Sequence, residues 1–237
     1  MTDPAAILSP DEHDRFLRLV VSSGALQFGE FTTKSGRKTP YFVNFGHMTT
    51  GAELDEWSQH YATAIERHFG RDVDVLFGPA YKGIPLAAAT AMQLSRRWER
   101  PVGFAYDRKE AKAHGEGGSL VGHSFQDGDR VVIVEDVTTA GTSIRNSVPM
   151  LRAAANVDIR GLVISIDRWE RGTGDDRATV EIAREFDFDV VSLTTTPRLV
   201  EALEGATFDD RIVLDAPSAE RIRAHLSEHG PRDPEGA

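Results

Sequence analysis

Short apolar runs alternate with amphipathic stretches over most of the chain. Strand-like runs lie at 73–77, 102–106, 131–134, 159–166 and 190–193. Stretches with helical spacing lie at 53–69, 83–98, 141–155, 178–186 and 197–203. A continuous β-branched run such as Val131–Val134 is typical of a strand buried on both faces of a parallel sheet. The alternation predicts an α/β fold with a mostly parallel central sheet and helices on both faces.

The two ends of the chain have a different pattern. Residues 10–26 have apolar positions at helical spacing, and residues 24–45 are rich in glycine and aromatic residues, which favours short strands. One more helix is expected from Ser218, before a polar end. We divide the chain into an N-terminal segment 1–50, a core 51–210 and a C-terminal helix and tail 211–237, within one compact domain.

Composition excludes several classes of function. The chain has 237 residues, a net charge of −10 and no cysteine. The acidic balance argues against a nucleic-acid-binding surface, and the lack of cysteine excludes disulfides, Cys-based zinc sites and a thiol nucleophile. No apolar run reaches the roughly 20 residues of a membrane helix, and the N-terminus lacks a signal-peptide pattern. We expect a cytoplasmic protein with no membrane or nucleic-acid partner.

The basic residues point to an anion site. All lysines lie between positions 34 and 112, whereas arginines occur throughout the chain. Lysine is a compact point charge that suits a phosphate, although chance could also cluster so few residues. Residues 107–122 are rich in glycine and charge, with few large apolar side chains, which predicts a mobile loop. The alternative is a solvated charged loop without a function.

The segment 131–143 carries the clearest chemistry. A buried strand leads into Glu135 and Asp136, and then into a turn of Thr, Gly and Ser before a helix. Backbone amides at such a helix N-terminus can hold a phosphate, and the acids can bind ribose hydroxyls or Mg²⁺ through water. No Walker-type motif is present. The alternative is an ordinary helix start with incidental acids.

Segment 131–143 resembles the phosphoribosyl pyrophosphate (PRPP) signature of the type I phosphoribosyltransferases. Residues 28–42, 77–85 and 108–117 narrow the resemblance to the members that use orotate. The resemblance covers about residues 15–205. Two positions depart from the family pattern: Glu135 stands where an Asp is common, and Val43 stands where many bacterial members have a second Phe.

The resemblance implies a role for each matching residue. It assigns PRPP binding to Lys34, Tyr81, Lys82, Arg108, Lys109, Lys112, His114, Glu135, Asp136, Val137, Thr138, Thr139, Ala140, Gly141, Thr142 and Ser143. It assigns orotate binding to Lys34, Phe42, Val43, Thr139 and Arg168, and catalysis to Lys109, Lys112, His114 and Asp136. It implies Mg²⁺ as the cofactor, held by PRPP and water without a direct protein ligand, with Glu135 and Asp136 reachable through water.

Arg168 is also a candidate from the residues alone. It follows the strand 159–166 on the side of the sheet where ligands bind, and its planar fork matches a carboxylate. The alternative is an exposed ion pair with Asp167, Glu170 or Asp175.

The resemblance implies transfer of the phosphoribosyl group of PRPP to N1 of orotate, in pyrimidine biosynthesis. The products are orotidine 5′-phosphate and pyrophosphate. It also implies a homodimer, a lid around 108–118 that is shared between subunits, and an N-terminal hood on the orotate side. Two alternatives stay open. A PRPP-sensing transcription regulator is disfavoured by the charge of −10. A purine or uracil phosphoribosyltransferase should not need Lys34, Phe42 and Arg168 together.

Overall fold

Helices and strands follow one another in the order expected of an α/β fold. The structure, a computed structural model, describes residues 7–32, 38–108, 119–138 and 141–232. The helices are α1 Pro10–Ser22, α2 Gly51–Phe69, α3 Gly83–Trp98, α4 Thr142–Ala154, α5 Ala178–Phe186, α6 Thr196–Leu203 and α7 Ala216–His229. The strands are β1 Leu26–Thr32, β2 Lys38–Val43, β3 Val75–Gly78, β4 Gly103–Asp107, β5 Leu120–Gly122, β6 Arg130–Val137, β7 Asp158–Asp167, β8 Asp189–Thr195, β9 Thr207–Phe208 and β10 Arg211–Ile212.

The central sheet has the strand order β5-β4-β3-β6-β7-β8. All neighbouring strands in it are parallel except β5, which pairs antiparallel with β4 at the edge. From β3 the chain continues to β4 on one side, whereas from β6 it continues to β7 on the other side, so the strand order reverses between β3 and β6. Ligands of open parallel sheets bind at such a switch point. The predicted fold class is confirmed.

Helices cover both faces of the sheet, and β6 shows how. Val132 and Val134 belong to a core cluster that includes α1, α2 and α3, whereas Val131 and Ile133 belong to the opposite cluster with α4 and α5. None of the four has measurable solvent exposure. A strand with both faces buried explains why this segment is continuously apolar instead of alternating.

Local signals set the helix boundaries. Ser9 caps α1 and Thr50 caps α2, each in a reciprocal pair with a glutamate three residues later. The helical spacing over 10–26 overestimates α1, which ends at Ser22 because Leu26 already pairs with Val43 in the β1–β2 hairpin. In that hairpin, the predicted turn 34–37 lies outside the described residues.

Two other predictions need correction, and one element was not predicted. The segment 107–122 is not all loop, because Asp107 ends β4 and residues 120–122 form β5 beside it. Residues 109–118 lie outside the described residues, so the loop stays a prediction there. The strand predicted over 131–134 extends to Val137, so the two acids lie within it. The short hairpin of β9 and β10 was not predicted, since two-residue strands carry no periodicity. Within the described segments, no helix combines the length and apolarity needed to cross a membrane.

Candidate active site

The switch point of the sheet brings a lysine and an aspartate together. Lys82 is the N-cap residue of α3, after β3, and Asp136 lies near the end of β6, the neighbouring strand. Lys82 Nζ forms an ion pair with Asp136 Oδ2. Asp136 is buried, whereas 46% of the Lys82 side chain is exposed. A half-exposed ammonium at this edge can reach an anionic ligand while its aspartate partner stays fixed.

The carboxyl of Glu135, the residue before Asp136, has a raised pKa. Ser143 Oγ donates a hydrogen bond to Glu135 Oε2 over 2.7 Å, and Tyr61 OH donates to the Glu135 carbonyl over 2.6 Å. Burial raises the pKa of the Glu135 carboxyl to about 7, and the charge of Asp136 adds to the effect, which the Ser143 bond partly offsets. Near neutral pH this carboxyl is therefore present in both forms.

The raised pKa of Glu135 predicts a dependence of stability on pH. Between its unfolded value of 4.5 and its folded value of about 7, the folded protein binds more protons, so this group lowers the free energy of unfolding as pH rises. Glu135→Gln keeps an acceptor for Ser143 and removes the titration. We expect the free energy of unfolding of the variant, measured in urea, to rise by about 2 kcal/mol relative to that of wild type as the pH is increased from about 5 to about 8. Parallel pH curves for the two proteins would contradict the assignment.

The start of α4 is arranged as an anion cradle. Gly141 is its N-cap residue with φ +69°, and no described side chain caps this helix end. Thr138 Oγ1 instead accepts a hydrogen bond from the Gly141 amide over 3.1 Å. The N–H groups in the first turn of α4 therefore stay available to a ligand, in an arrangement that can bind phosphate. Side chains cap α1, α2, α6 and α7, whereas α3 and α5 also begin without a side-chain cap, so α4 is distinguished by the two acids of β6 that precede it.

Gly141→Ala tests this cradle. An added Cβ would lie 2.7 Å from Ile182 Cδ1 in the core, and its φ is unfavourable for residues with a side chain. We expect KM for PRPP, the ligand that the sequence resemblance implies, to rise about tenfold, since the loop must shift to relieve both effects. Gly205→Ala is the matched control, because its φ is +71° and no atom lies within 4 Å of an added Cβ. Equal KM values for both variants would rule out the cradle.

The loop between β3 and α3 is held by a carboxylate at the end of the next strand. The Ala80 amide donates to Asp107 Oδ1 over 2.6 Å, and the Ala80–Tyr81 peptide is cis. The Tyr81 side chain, in the same loop, is 65% exposed. Asp107 thereby fixes the backbone that presents Tyr81 and Lys82 to the switch point.

A buried arginine lies at the end of the adjacent strand β7. Arg168 is only 7% exposed, and its Nη2 lies 2.7 Å from Glu170 Oε1. Its guanidinium stands over the ring of Tyr41, 4.6 Å from the centroid, and Nη2 is 3.5 Å from Thr39 Oγ1. Because Val137 pairs with Ile166, this cluster begins next to the end of β6. The cation and the acidic pair thus lie at neighbouring strand ends.

The geometry agrees with comparisons to known proteins. A family model described as phosphoribosyl transferase domain matches residues 52–192. The orotate phosphoribosyltransferase of Lachnoclostridium phytofermentans is 47% identical, over 91% of this chain and 96% of its own length. The chain belongs to the orotate phosphoribosyltransferase family. A relative from Bifidobacterium longum, with the same enzyme name, is 41% identical over 91% of this chain and 96% of its own.

A solved structure of the same family shares the fold. The orotate phosphoribosyltransferase of Francisella tularensis superposes with a TM-score of 0.75 and is 34% identical to this chain. The superposition covers 91% of this chain and 99% of that one. The shared fold therefore includes the sheet and its flanking helices and spans most of this chain.

The structure brings together part of the predicted site. Asp136 and Lys82 form an ion pair, and Glu135 is hydrogen-bonded to Ser143. The remaining described PRPP candidates lie at the same edge of the sheet or just beyond it: Tyr81, Val137, Thr138, Gly141, Thr142 and Arg108. The Arg108 amide donates a hydrogen bond to the Ser119 carbonyl over 2.7 Å. Six predicted residues lie outside the described residues: Lys34, Lys109, Lys112, His114, Thr139 and Ala140.

The base-side candidates are divided between two elements. Phe42 and Val43 lie on β2, where Phe42 stacks on Phe31 with ring centroids 5.4 Å apart. Arg168 pairs with Glu170, as one alternative anticipated, but the pair is buried and not exposed. Sequence reasoning missed Asp107 as a support of the loop before α3, and its position at the end of a strand was the available signal. It also missed His225, which approaches Glu170 from α7.

Proposed function

We propose that this protein transfers the 5-phosphoribosyl group of PRPP to N1 of orotate, releasing pyrophosphate and forming orotidine 5′-phosphate. The observation that carries the proposal is the placement of two sites at neighbouring strand ends. One holds Lys82 with the acidic pair, before the uncapped start of α4, and the other holds the buried Arg168. The family to which the chain belongs bears the name of this reaction. The product belongs to pyrimidine biosynthesis.

The acids and the α4 cradle would bind the two ends of the phosphoribosyl group. Asp136 and Glu135 accept hydrogen bonds from the ribose hydroxyls, since carboxylates cannot bind phosphate directly. The first-turn amides of α4, which no described side chain caps, suit the 5-phosphate, with the Thr138 and Ser143 hydroxyls nearby. Tyr81 and Lys82 suit the pyrophosphate, because they precede α3 on the other side of the switch point.

The chemical step replaces one bond at C1 of the ribose by another. The bond from C1 to the pyrophosphate oxygen breaks, and its electron pair leaves with pyrophosphate. Orotate loses its N1 proton to water, and the resulting N1 anion supplies the pair for the new C1–N1 bond, with inversion at C1. Such transfers have oxocarbenium-like transition states, so orientation and stabilisation of the leaving group are the main tasks. Lys82 supplies positive charge for the second task.

Mg²⁺ is proposed as a companion of PRPP and not as a resident ion. In the described segments, no group of three acidic or histidine side chains is placed to hold a metal. The donors present fit an ion that arrives on the pyrophosphate: Glu135 and Asp136 could reach it through water, while Asp136 is also paired with Lys82. When bound, the ion would neutralise charge on the departing pyrophosphate.

We also propose that two chains share each active site. Lys109, Lys112 and His114 would act at the pyrophosphate of the neighbouring subunit, an assignment that rests on the family resemblance. The test mixes a Lys112→Ala chain with an Asp136→Asn chain, after subunit exchange has been verified. Sharing predicts partial recovery of activity, because one site of each hybrid dimer then combines an intact lid with an intact PRPP site. If the lid acts within its own subunit, mixing restores nothing.

The reaction itself is tested by product analysis. Purified protein is incubated with PRPP, orotate and Mg²⁺, and the products are separated by anion-exchange chromatography. We expect orotidine 5′-phosphate and pyrophosphate in equal amounts, and neither when orotate or Mg²⁺ is omitted. Hydrolysis of PRPP without formation of the nucleotide would contradict the proposal.

A further inference from the structure

A glutamate connects the buried arginine to the C-terminal helix. Glu170 Oε1 lies 2.7 Å from Arg168 Nη2, 3.1 Å from Tyr41 OH and 3.1 Å from His225 Nε2. The four residues are at most 8% exposed. They come from β2, the loop after β7 and α7, so one carboxylate oxygen joins three parts of the fold.

The donors and acceptors of this cluster can be assigned. An ionised carboxylate only accepts hydrogen bonds, so the proton lies on Nε2 of His225. Burial would raise the pKa of Glu170, but the His225 hydrogen bond and the Arg168 charge outweigh it and lower the pKa to about 2. Glu170 is therefore ionised whenever the protein is folded at ordinary pH. The His225 ring is also edge-on to the Tyr41 ring, with centroids 6.1 Å apart.

The end of α7 is attached to the same loop. The Arg171 amide donates to the His229 carbonyl over 2.8 Å, and its guanidinium donates to the Gly230 and Glu228 carbonyls. These bonds hold α7 beside the residues that immediately follow Arg168. Movement of α7 would therefore displace Glu170 through His225, and would displace the backbone that follows Arg168 through Arg171.

We infer that Glu170 and His225 are positioning residues that orient Arg168 toward the carboxylate of the pyrimidine base, which makes α7 part of the base-binding side of the active site. The inference rests on the proposed function. A planar guanidinium makes two parallel bonds to a carboxylate only at one orientation. Glu170 accepts from both Nη2 and Nε of Arg168, at 2.7 and 3.2 Å, and so fixes the plane of the fork. His225 in turn fixes Glu170.

The test measures separate KM values for orotate and PRPP in His225→Asn and Glu170→Gln. His225→Asn withdraws the donor from Glu170, and Glu170→Gln removes the charge while keeping the size. Each should raise KM for orotate about tenfold, with kcat and KM for PRPP changed by no more than about twofold. His225→Gln, whose amide reaches the position of Nε2, should restore a KM near that of wild type.

Arg223→Ala is the matched control on the same helix. Arg223 pairs with Glu204 and not with Glu170, so this variant removes a surface ion pair of α7 while the bonds of His225 and Arg171 still hold the helix in place, and its KM for orotate should stay unchanged. Assays are run below the midpoint of thermal unfolding of every variant, so that folded proteins are compared. The inference is overturned if neither His225→Asn nor Glu170→Gln raises KM for orotate, or if KM for PRPP rises equally. Failure of the wild type to form orotidine 5′-phosphate would instead overturn the proposed function.

Discussion

Asp136→Asn should lower kcat/KM for PRPP by roughly 30- to 1,000-fold, the equivalent of about 2–4 kcal/mol of transition-state stabilisation. Asp136 is buried at the switch point and paired with Lys82. The amide would donate as well as accept, so it would hold the ribose hydroxyls less well and would release Lys82 from its fixed position. The measurement is initial rate against PRPP concentration at saturating orotate.

Asp74→Asn is the matched control for this prediction. Asp74 also forms an ion pair, with Arg130 Nε at 2.7 Å, but it lies just before β3 at the opposite edge of the sheet. Loss of that pair should change stability and leave kcat/KM near the wild-type value. If Asp136→Asn instead melts far below wild type while retaining kcat/KM, the role of Asp136 is structural and the proposed PRPP site is wrong.

Arg168→Lys should lower kcat/KM for orotate by roughly a hundredfold, with KM for PRPP unchanged. Lysine keeps the positive charge beside Glu170 and loses the planar fork that matches a carboxylate in two places. We choose lysine because an apolar residue would leave Glu170 buried without its cation. The measurement is initial rate against orotate concentration at saturating PRPP.

Arg177→Lys controls for the general effect of changing a buried arginine in this region. Arg177 is 5% exposed, pairs with Asp167 over 3.1 Å and stands over the Trp169 ring, 3.9 Å from its centroid. Arg177→Lys should change stability without a selective loss of kcat/KM for orotate. Equal losses in the two variants, or a loss in Arg168→Lys that falls on PRPP, would contradict the role given to Arg168.

The sequence predicts the central sheet well because its signals are local. The apolar run Val131–Val134 is buried on both faces, and this pattern arises from the strand itself. Boundaries were less accurate where pairing with a distant segment decides them. Residues 120–122 become a strand only because β4 offers an unpaired edge, and α1 ends early because Leu26 pairs with Val43.

The candidate site likewise has one part that the local sequence predicts and one part that depends on contacts between distant residues. The turn proposed to bind phosphate and its two acids lie within one continuous segment, so their types and spacing already indicate the chemistry. The surroundings of Arg168 come from residues as far apart as Tyr41 and His225, and no pattern in the sequence relates them. Sequence reasoning could therefore identify Arg168 and a pairing with Glu170, but not the burial that fixes the guanidinium.

The most direct test of the account is a competition among bases. The protein is supplied with PRPP, Mg²⁺ and equal concentrations of orotate, uracil, hypoxanthine and adenine, and the loss of each base is followed by chromatography. Uracil differs from orotate only in lacking the carboxylate that Arg168 is proposed to bind. The account predicts that orotate alone is consumed at a measurable rate and that pyrophosphate is released in equal amount. Comparable consumption of uracil or of either purine would contradict it.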